Sequence, residues 1–138
     1  METQLPILFS IEPHLSAKEF QRILVASMLA ERRPAADLAR LEKMLRHADV
    51  IATARDAGRL VGVSRAVTDF SYCCYLSDLA VDFEYQRQGI GKRLIAETHA
   101  AAGEATTLIL IAAPAAETYY PKIGMQHLTS CWAIPRKG

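Results

Sequence analysis

Little in this chain is scarce by accident, and each shortage excludes a class of protein. Its 138 residues include only three cysteines, Cys73, Cys74 and Cys131. Their number is odd, two are adjacent and none forms a C-x-x-C pair, so neither a disulfide framework nor a structural zinc site is expected, and a reducing cytoplasm is the natural compartment. His14, His47, His99 and His127 are scattered without H-x-x-x-H spacing, so no metal site is expected either. Charge of one sign is missing too: sixteen basic against fifteen acidic side chains leave +1, which advertises neither a nucleic-acid footprint nor attraction to a membrane surface. No apolar run approaches the ~18 residues of a membrane span. The opening "METQLPILFSIEPHLS" has no basic n-region and reads as a strand rather than a signal peptide. Repeats, low-complexity tracts and linkers are absent. With 51% apolar and 22% charged residues, residues 1–138 read as a single soluble globular domain large enough to bury a core.

What is present is a change of period along the chain. A first strand is expected over Leu5–Ile11, with Pro6 restricting its start to an edge or entry position. Ser16-Ala17-Lys18-Glu19 is a capping-box pattern opening a helix over Ala17–Leu29, with Phe20, Ile23, Leu24 and Met28 on one stripe. Pro34 suits the N1 position of a second helix carrying Leu38, Leu41, Met44 and Leu45. From Val50 onward "VIATAR" and "LVGVSRAVTD" flank the turn Asp56-Ala57-Gly58-Arg59, the pattern of a β-hairpin, and "CCYLSDLAVD" adds a third strand. A helix over Gly89–Ala102 follows, stopped by Gly103. "TTLILIAA" lacks polar alternation, as a parallel strand buried on both faces would. A short helix over Ala115–Tyr120, cut by Pro121, and two closing strands in "MQHLTS" and "CWAIPR" complete the order β-α-α-β-β-β-α-β-α-β-β. The fold class expected is α/β (α+β), a mixed, mostly antiparallel sheet with one βαβ crossover.

The crossover contains the most informative turn, Gln86-Arg87-Gln88-Gly89-Ile90-Gly91. Glycines at 89 and 91 let the backbone approach a bulky anion, and the dipole of the following helix adds partial positive charge. A P-loop reading fails because position 86 is Gln and Arg93 stands where a hydroxyl residue would hold magnesium. A dinucleotide fingerprint fails because position 94 is Leu. Two readings remain for the turn alone: a phosphate cradle of another kind, or a turn that only packs a helix on a sheet.

The turn resembles the Q/R-x-x-G-x-G/A signature of the GNAT N-acetyltransferase superfamily. A second segment, "AAETYYPKIGM" over residues 115–125, resembles that family's A-x-x-F-Y-x-K-x-G-F motif at Ala116, Tyr119, Tyr120, Lys122 and Gly124, with Met125 where Phe is usual. The two motifs extend the resemblance over about residues 50–135, and the first fifty residues match only as a strand followed by two helices. The resemblance implies that Gln86, Arg87, Gln88, Gly89, Ile90, Gly91 and Lys92 hold the pyrophosphate of acetyl-coenzyme A, with Arg93 as a further source of charge. It also implies that the backbone of Leu79, Ala80 and Val81 pairs with the pantetheine arm, and that Tyr119 packs near the cosubstrate. One departure concerns Ala113, which stands where the family often has an asparagine that contacts coenzyme A.

By the same resemblance Tyr120 is the general acid that protonates the departing thiolate. A phenol of ordinary pKa about 10 is close enough to an alkyl thiol for that exchange to be nearly balanced. For a general base Asp78 is the first choice and Asp69 the second, and an amine that arrives already neutral needs neither. Ser77 stands where some family members carry a glutamate. Glu31-Arg32-Arg33, between the first two helices, borders the acceptor site on this reading. The expected activity is direct transfer of an acetyl group to a primary amine, of a small molecule rather than a protein, with a homodimer admitted by family habit alone. The alternative is a module that binds or senses acyl-coenzyme A without turnover.

Overall fold

The computed structural model describes residues 6–137, and its elements follow the change of period along the chain. Strand β1 spans Leu8–Ile11; the expected start at Leu5 lies outside the described residues. Helix α1 spans Ala17–Ala26, and Ser16 caps it by accepting the Glu19 N–H at 3.1 Å. The capping box is not closed, because the Glu19 carboxylate accepts instead from Arg55 Nη1 at 2.8 Å. A 3₁₀ turn at Leu29–Arg32 leads to helix α2 over Leu38–Arg46. That helix starts later than Pro34 suggests. Arg33 is extended (φ −138°, ψ 154°), as the residue before a proline prefers, and Asp37 is the cap, its side chain accepting the Arg40 N–H at 3.1 Å.

Strands β2 (Val50–Asp56) and β3 (Arg59–Thr68) form the expected hairpin, with Ala57 and Gly58 both left-handed (φ 48° and 88°), as a type I′ turn requires. Strand β4 (Cys73–Val81) returns antiparallel to β3. Helix α3 (Ile90–Ala102) then crosses over to β5 (Thr107–Ile109), which pairs parallel to β4. The sheet has five strands in the order β1-β2-β3-β4-β5, mixed and mostly antiparallel with one βαβ crossover, as expected.

Helices cover both faces of the sheet. On one face Phe20, Ile23 and Leu24 of α1 and Leu41 and Leu45 of α2 pack against Ile51, Leu60, Val63 and Ala80. On the other, Ile90 and Leu94 of α3 pack against Ala52, Ala54 and Val61, with Leu79 and Val81 at the margin. Burying each large aliphatic side chain contributes about 1.5–3 kcal/mol. No helix among the described residues is long and apolar enough to cross a membrane.

The chain after β5 departs from expectation. "TTLILIAA" forms strand only at Thr107–Ile109, and Ile109 and Ile111 are 39% and 56% exposed, so this run is not covered on both faces. It forms the edge of the sheet; Leu108 joins Cys74 and Ala102 of α3, while α1 and α2 pack further along. The short helix also shifts. A 3₁₀ turn at Pro114–Ala116 precedes helix α4 (Tyr119–Lys122), whose first turn tolerates Pro121 because the missing N–H has no helical acceptor there. The strands expected at "MQHLTS" and "CWAIPR" are not formed: the described residues beyond α4 contain no strand. A ladder needs a neighbour, and three residues of β5 offer almost none; Trp132 and Ile134 stand 91% and 96% exposed.

Candidate functional site

A β-bulge shapes the centre of β4. Arg65 pairs with Asp78 and Ala66 with Leu76, so Ser77 is an extra residue. The insertion changes which residues face which side: Ala80 joins the α1/α2 core, while Leu79 and Val81 lie against the α3 core. Pairing between β4 and β5 runs only from Cys73↔Thr107 to Tyr75↔Ile109. Beyond Tyr75 the two strands part, and the edge of β4 from Leu76 to Val81 has no second strand beside it among the described residues. The side chains of Leu79, Ala80 and Val81 serve the core, so it is their backbone that is available to a ligand in the opening.

The glycine turn lies at the end of this open edge. Gln86 donates from Nε2 to the Val81 carbonyl at 3.1 Å, tying the turn to β4. Asp82 accepts the Glu84 N–H at 2.9 Å, and Tyr85 donates its hydroxyl proton to Asp56 at 2.7 Å. Arg87 (φ 66°) and Gly89 (φ 79°) are both left-handed, and Gly89 caps α3 with no side-chain acceptor. The first intrahelical bond runs from the Arg93 N–H to the Gly89 carbonyl at 3.0 Å. The N–H groups of Ile90, Gly91 and Lys92 therefore have no helical acceptor, and a bare helix N-terminus of this kind favours anions. Gln86 to Gly89 are exposed, as is Lys92, whereas the Ile90 side chain is buried and only its backbone faces the turn. Arg93 is largely committed elsewhere, bonded to Glu97 at 2.7 Å and lying 4.7 Å from the Phe9 ring centroid.

Gly91 sits at a close approach. A Cβ there would stand 3.1 Å from the Tyr119 hydroxyl oxygen and 3.8 Å from Val81 Cγ2. Tyr119 thus brings α4 against the first turn of α3. Its ring meets that of Tyr120 edge to face, with centroids 5.3 Å apart. Burial raises the pKa of both phenols; the Lys92 N–H partly offsets the shift at Tyr119, and a Tyr119 phenolate would add to it at Tyr120. Tyr120 is therefore a phenol that keeps its proton well into alkaline pH, and it lies beside Tyr119, the residue that touches the first turn of α3.

The two aspartates are committed to structure. Asp78 is fully buried, with one carboxylate oxygen accepting from Arg33 Nε and the other from Arg65 Nε. Arg33 Nη2 also donates to the Ser77 carbonyl at 2.7 Å, and Arg65 Nη2 to the Ser77 hydroxyl at 3.2 Å. A carboxylate with both oxygens engaged and no exposed surface does not suit the base role expected for it; Asp78 instead fastens the bulge. Asp69 accepts three backbone N–H groups of its own turn, from Ser71, Tyr72 and Cys73 at 2.9, 2.8 and 3.1 Å. These bonds hold its pKa at about 2, the mark of a turn-forming carboxylate. Arg65 escaped the sequence reading, although an arginine inside the apolar run "VGVSRAV" signals a buried ion pair. Arg33 was visible there only as part of a charge run.

Ala113 caps the 3₁₀ turn before α4 through its backbone alone. Of the cysteines, Cys74 is buried and its thiol is pushed upward by that burial, while Cys73 and Cys131 are exposed. His99 is bonded to the Thr106 carbonyl at 2.8 Å, and the described residues contain no cluster of His, Cys, Asp or Glu able to hold a metal. A cleft of about 560 Å³ lies at the joint between α1 and α2, where Gln21, Val25, Ala30, Arg33, Pro34 and Ala35 line it. It is separate from the glycine turn, which presents backbone donors on an open surface rather than an enclosed cavity.

Fold and turn together define an α/β domain with an uncapped helix N-terminus beside an open strand edge. The chain belongs to the GNAT acetyltransferase family, whose domain model matches residues 17–130. Solved structures share the fold. A GNAT-family acetyltransferase from Streptococcus pneumoniae is 24% identical with a TM-score of 0.76, over 96% of this chain and 98% of that one. A ribosomal-protein-alanine N-acetyltransferase from Brucella melitensis is 20% identical with a TM-score of 0.70, over 96% and 100%. An aminoglycoside acetyltransferase from an uncultured soil metagenomic sample, in complex with sisomicin, is 20% identical with a TM-score of 0.67, over 95% and 97%. No curated protein matches the chain significantly.

Proposed function

We propose that this chain transfers an acetyl group from acetyl-coenzyme A directly to a primary amine of a small molecule, in the cytoplasm. The observation that carries the reading is the alignment of three features along one edge: the parted β4–β5 pair, the bare N-terminus of α3, and Tyr120 held beside Tyr119 against Gly91. On this reading the pyrophosphate rests on the N–H groups of residues 88–91, with the Arg87 and Lys92 side chains adding charge. The pantetheine lies along the open backbone of Leu79–Val81, which places the thioester near the bulge.

A neutral amine attacks the thioester carbonyl, forming the C–N bond. Backbone N–H groups of the open β4 edge stabilise the oxyanion as it develops. The C–S bond then breaks, and the Tyr120 phenol gives its proton to the departing thiolate; the proton shed by the amine passes to water. With Asp78 and Asp69 both committed to structure, no side-chain base is assigned, and the acceptor must be deprotonated before attack. That requirement predicts a rate that rises with pH as the acceptor amine loses its proton.

The rival is a module that binds acyl-coenzyme A without turnover; Ala113 and the missing base favour it. Thiol release from acetyl-coenzyme A with a panel of primary amines separates the two. Amine-dependent release sustains the enzyme, and saturable binding without release on any amine sustains the module.

A further inference from the structure

We infer that the acceptor amine also carries a carboxylate, and that Arg33 is the residue that receives it; the inference rests on the acetyl-transfer reading for the position of the thioester. The starting point is a charge imbalance inside the fold. Asp78 is enclosed by two guanidinium groups, Arg33 and Arg65, whose side chains are only 22% and 10% exposed. Among the described residues neither arginine has a second carboxylate within ion-pair distance, and Glu31 and Asp37 of the same inter-helix segment pair with neither. Arg65 and Asp78 are register partners on β3 and β4 and neutralise each other where they stand. Arg33 is the surplus cation.

Its placement is not that of an ordinary surface arginine. It arrives from the joint between α1 and α2, and three of its N–H groups are spent on Asp78, Ser77 and the Arg32 carbonyl. A guanidinium has five N–H donors, so two remain, on Nη1 and Nη2. Two N–H groups suffice for a bidentate carboxylate, and an incompletely solvated cation binds an anion more strongly than one free in water. Arg33 also lines the cleft at the inter-helix joint, so it is reachable from solvent.

The position along β4 selects the substrate. Asp78, the Arg33 anchor, lies two residues before Ala80, which is about 7 Å along a strand. Asp78 and Ala80 both face the α1/α2 side, opposite the α3 side on which the glycine turn begins its helix. An anion held by Arg33 would therefore sit within one small molecule's length of the open backbone assigned to the thioester. An amino-acid-like acceptor, with amine and carboxylate a few atoms apart, meets both requirements; a polyamine would bring only positive charge to a site that already has a surplus of it.

The test compares L-amino acids with their carboxamides, which keep the amine and lose the anion. Thiol release and, separately, calorimetric binding are measured with acetyl-coenzyme A or coenzyme A present. The acids should exceed the amides by about 10-fold or more in kcat/KM, chiefly through KM, as expected for loss of a charge-assisted contact. Arg33→Gln should bring that ratio near one without altering coenzyme A affinity, and Arg33→Lys should restore part of it. Amides or diamines used as well as the acids by the native protein would overturn the inference, whether or not either variant folds. If no acceptor yields thiol but the acids bind selectively through Arg33, the carboxylate site stands and the acetyl-transfer reading falls. Absence of acid selectivity in both turnover and binding removes the carboxylate site.

Discussion

The wall proposed to hold the donor and the arm that carries Tyr120 are built in different ways. In the wall, hydrogen bonds cross between elements: Thr98 of α3 bonds to Ser64 of β3 at 2.7 Å, Asp82 donates its N–H to Val61 at 2.9 Å, and Tyr85 reaches Asp56. In residues 110–137, the backbone bonds outside regular elements, such as Met125 N–H to the Tyr120 carbonyl at 3.2 Å, close on the arm itself. What joins arm to wall at the site is one side chain, Tyr119, which packs against Gly91 and meets the Lys92 N–H. On the proposed function the difference teaches that holding the donor and delivering a proton are separable tasks, one assigned to a cross-linked sheet and helix and the other to a lightly attached segment.

The comparison can be broken most forcefully at Asp78. Asp78→Ala leaves the buried Arg65 and the partly buried Arg33 without their counter-ion and should cost about 3–5 kcal/mol in urea unfolding. A loss near zero would show that the bulge is not fastened as described. Next, Leu94→Ala on the fully buried side of α3 should cost about 2–5 kcal/mol, whereas Trp132→Ala on the arm should stay within about 0.5 kcal/mol. Equal costs at the two positions would mean that the arm is packed as tightly as the wall. Gly89→Val forces a branched side chain into left-handed backbone, costing about 1–3 kcal/mol, and should weaken coenzyme A binding by distorting the turn. Retained affinity would move the phosphate site elsewhere.

The smallest effect concerns Asp69. Its folded pKa of about 2 lies below the unfolded carboxylate value of 3.8, so the stability it contributes is complete above the unfolded value and is lost as pH falls toward 2. Asp69→Asn should remove that part of the acid dependence by lowering stability at neutral pH, where the carboxylate's contribution is complete, while leaving stability near pH 2 almost unchanged. A titration identical to the native one across pH 4 to 2 would contradict the three-N–H turn.

How much of this was legible in the sequence follows the same division. The hairpin β2–β3, strand β4, helix α3 and the glycine turn were all readable, because their signals are local: period, turn residues and the helix-stopping Gly103. Tyr119 and Tyr120 were readable only through a motif, and their contact with Gly91 required the fold. The start of α2 was misplaced because a proline marks where a helix can begin, while Asp37 decides where it does. Asp78 reads from the sequence as the first choice of general base because its two partners, 45 and 13 residues away, leave no local signal of a buried ion pair. The closing strands failed for a related reason: alternation and β-branched residues make a segment fit to pair, but pairing needs a neighbouring edge, and β5 ends at Ile109.

The central claim, that Tyr120 protonates the leaving thiolate, is tested most directly by the pH dependence of kcat in the native protein and in Tyr120→Phe, with acetyl-coenzyme A affinity measured alongside. Burial raises the phenol above its ordinary value of 10.0, and the active form is the protonated one, so native kcat should not decline until the pH exceeds about 10. The variant should turn over ~10²-fold more slowly with nearly unchanged donor affinity and should lack that alkaline decline. An unaltered rate in Tyr120→Phe, or the same alkaline limb in both proteins, would contradict the account.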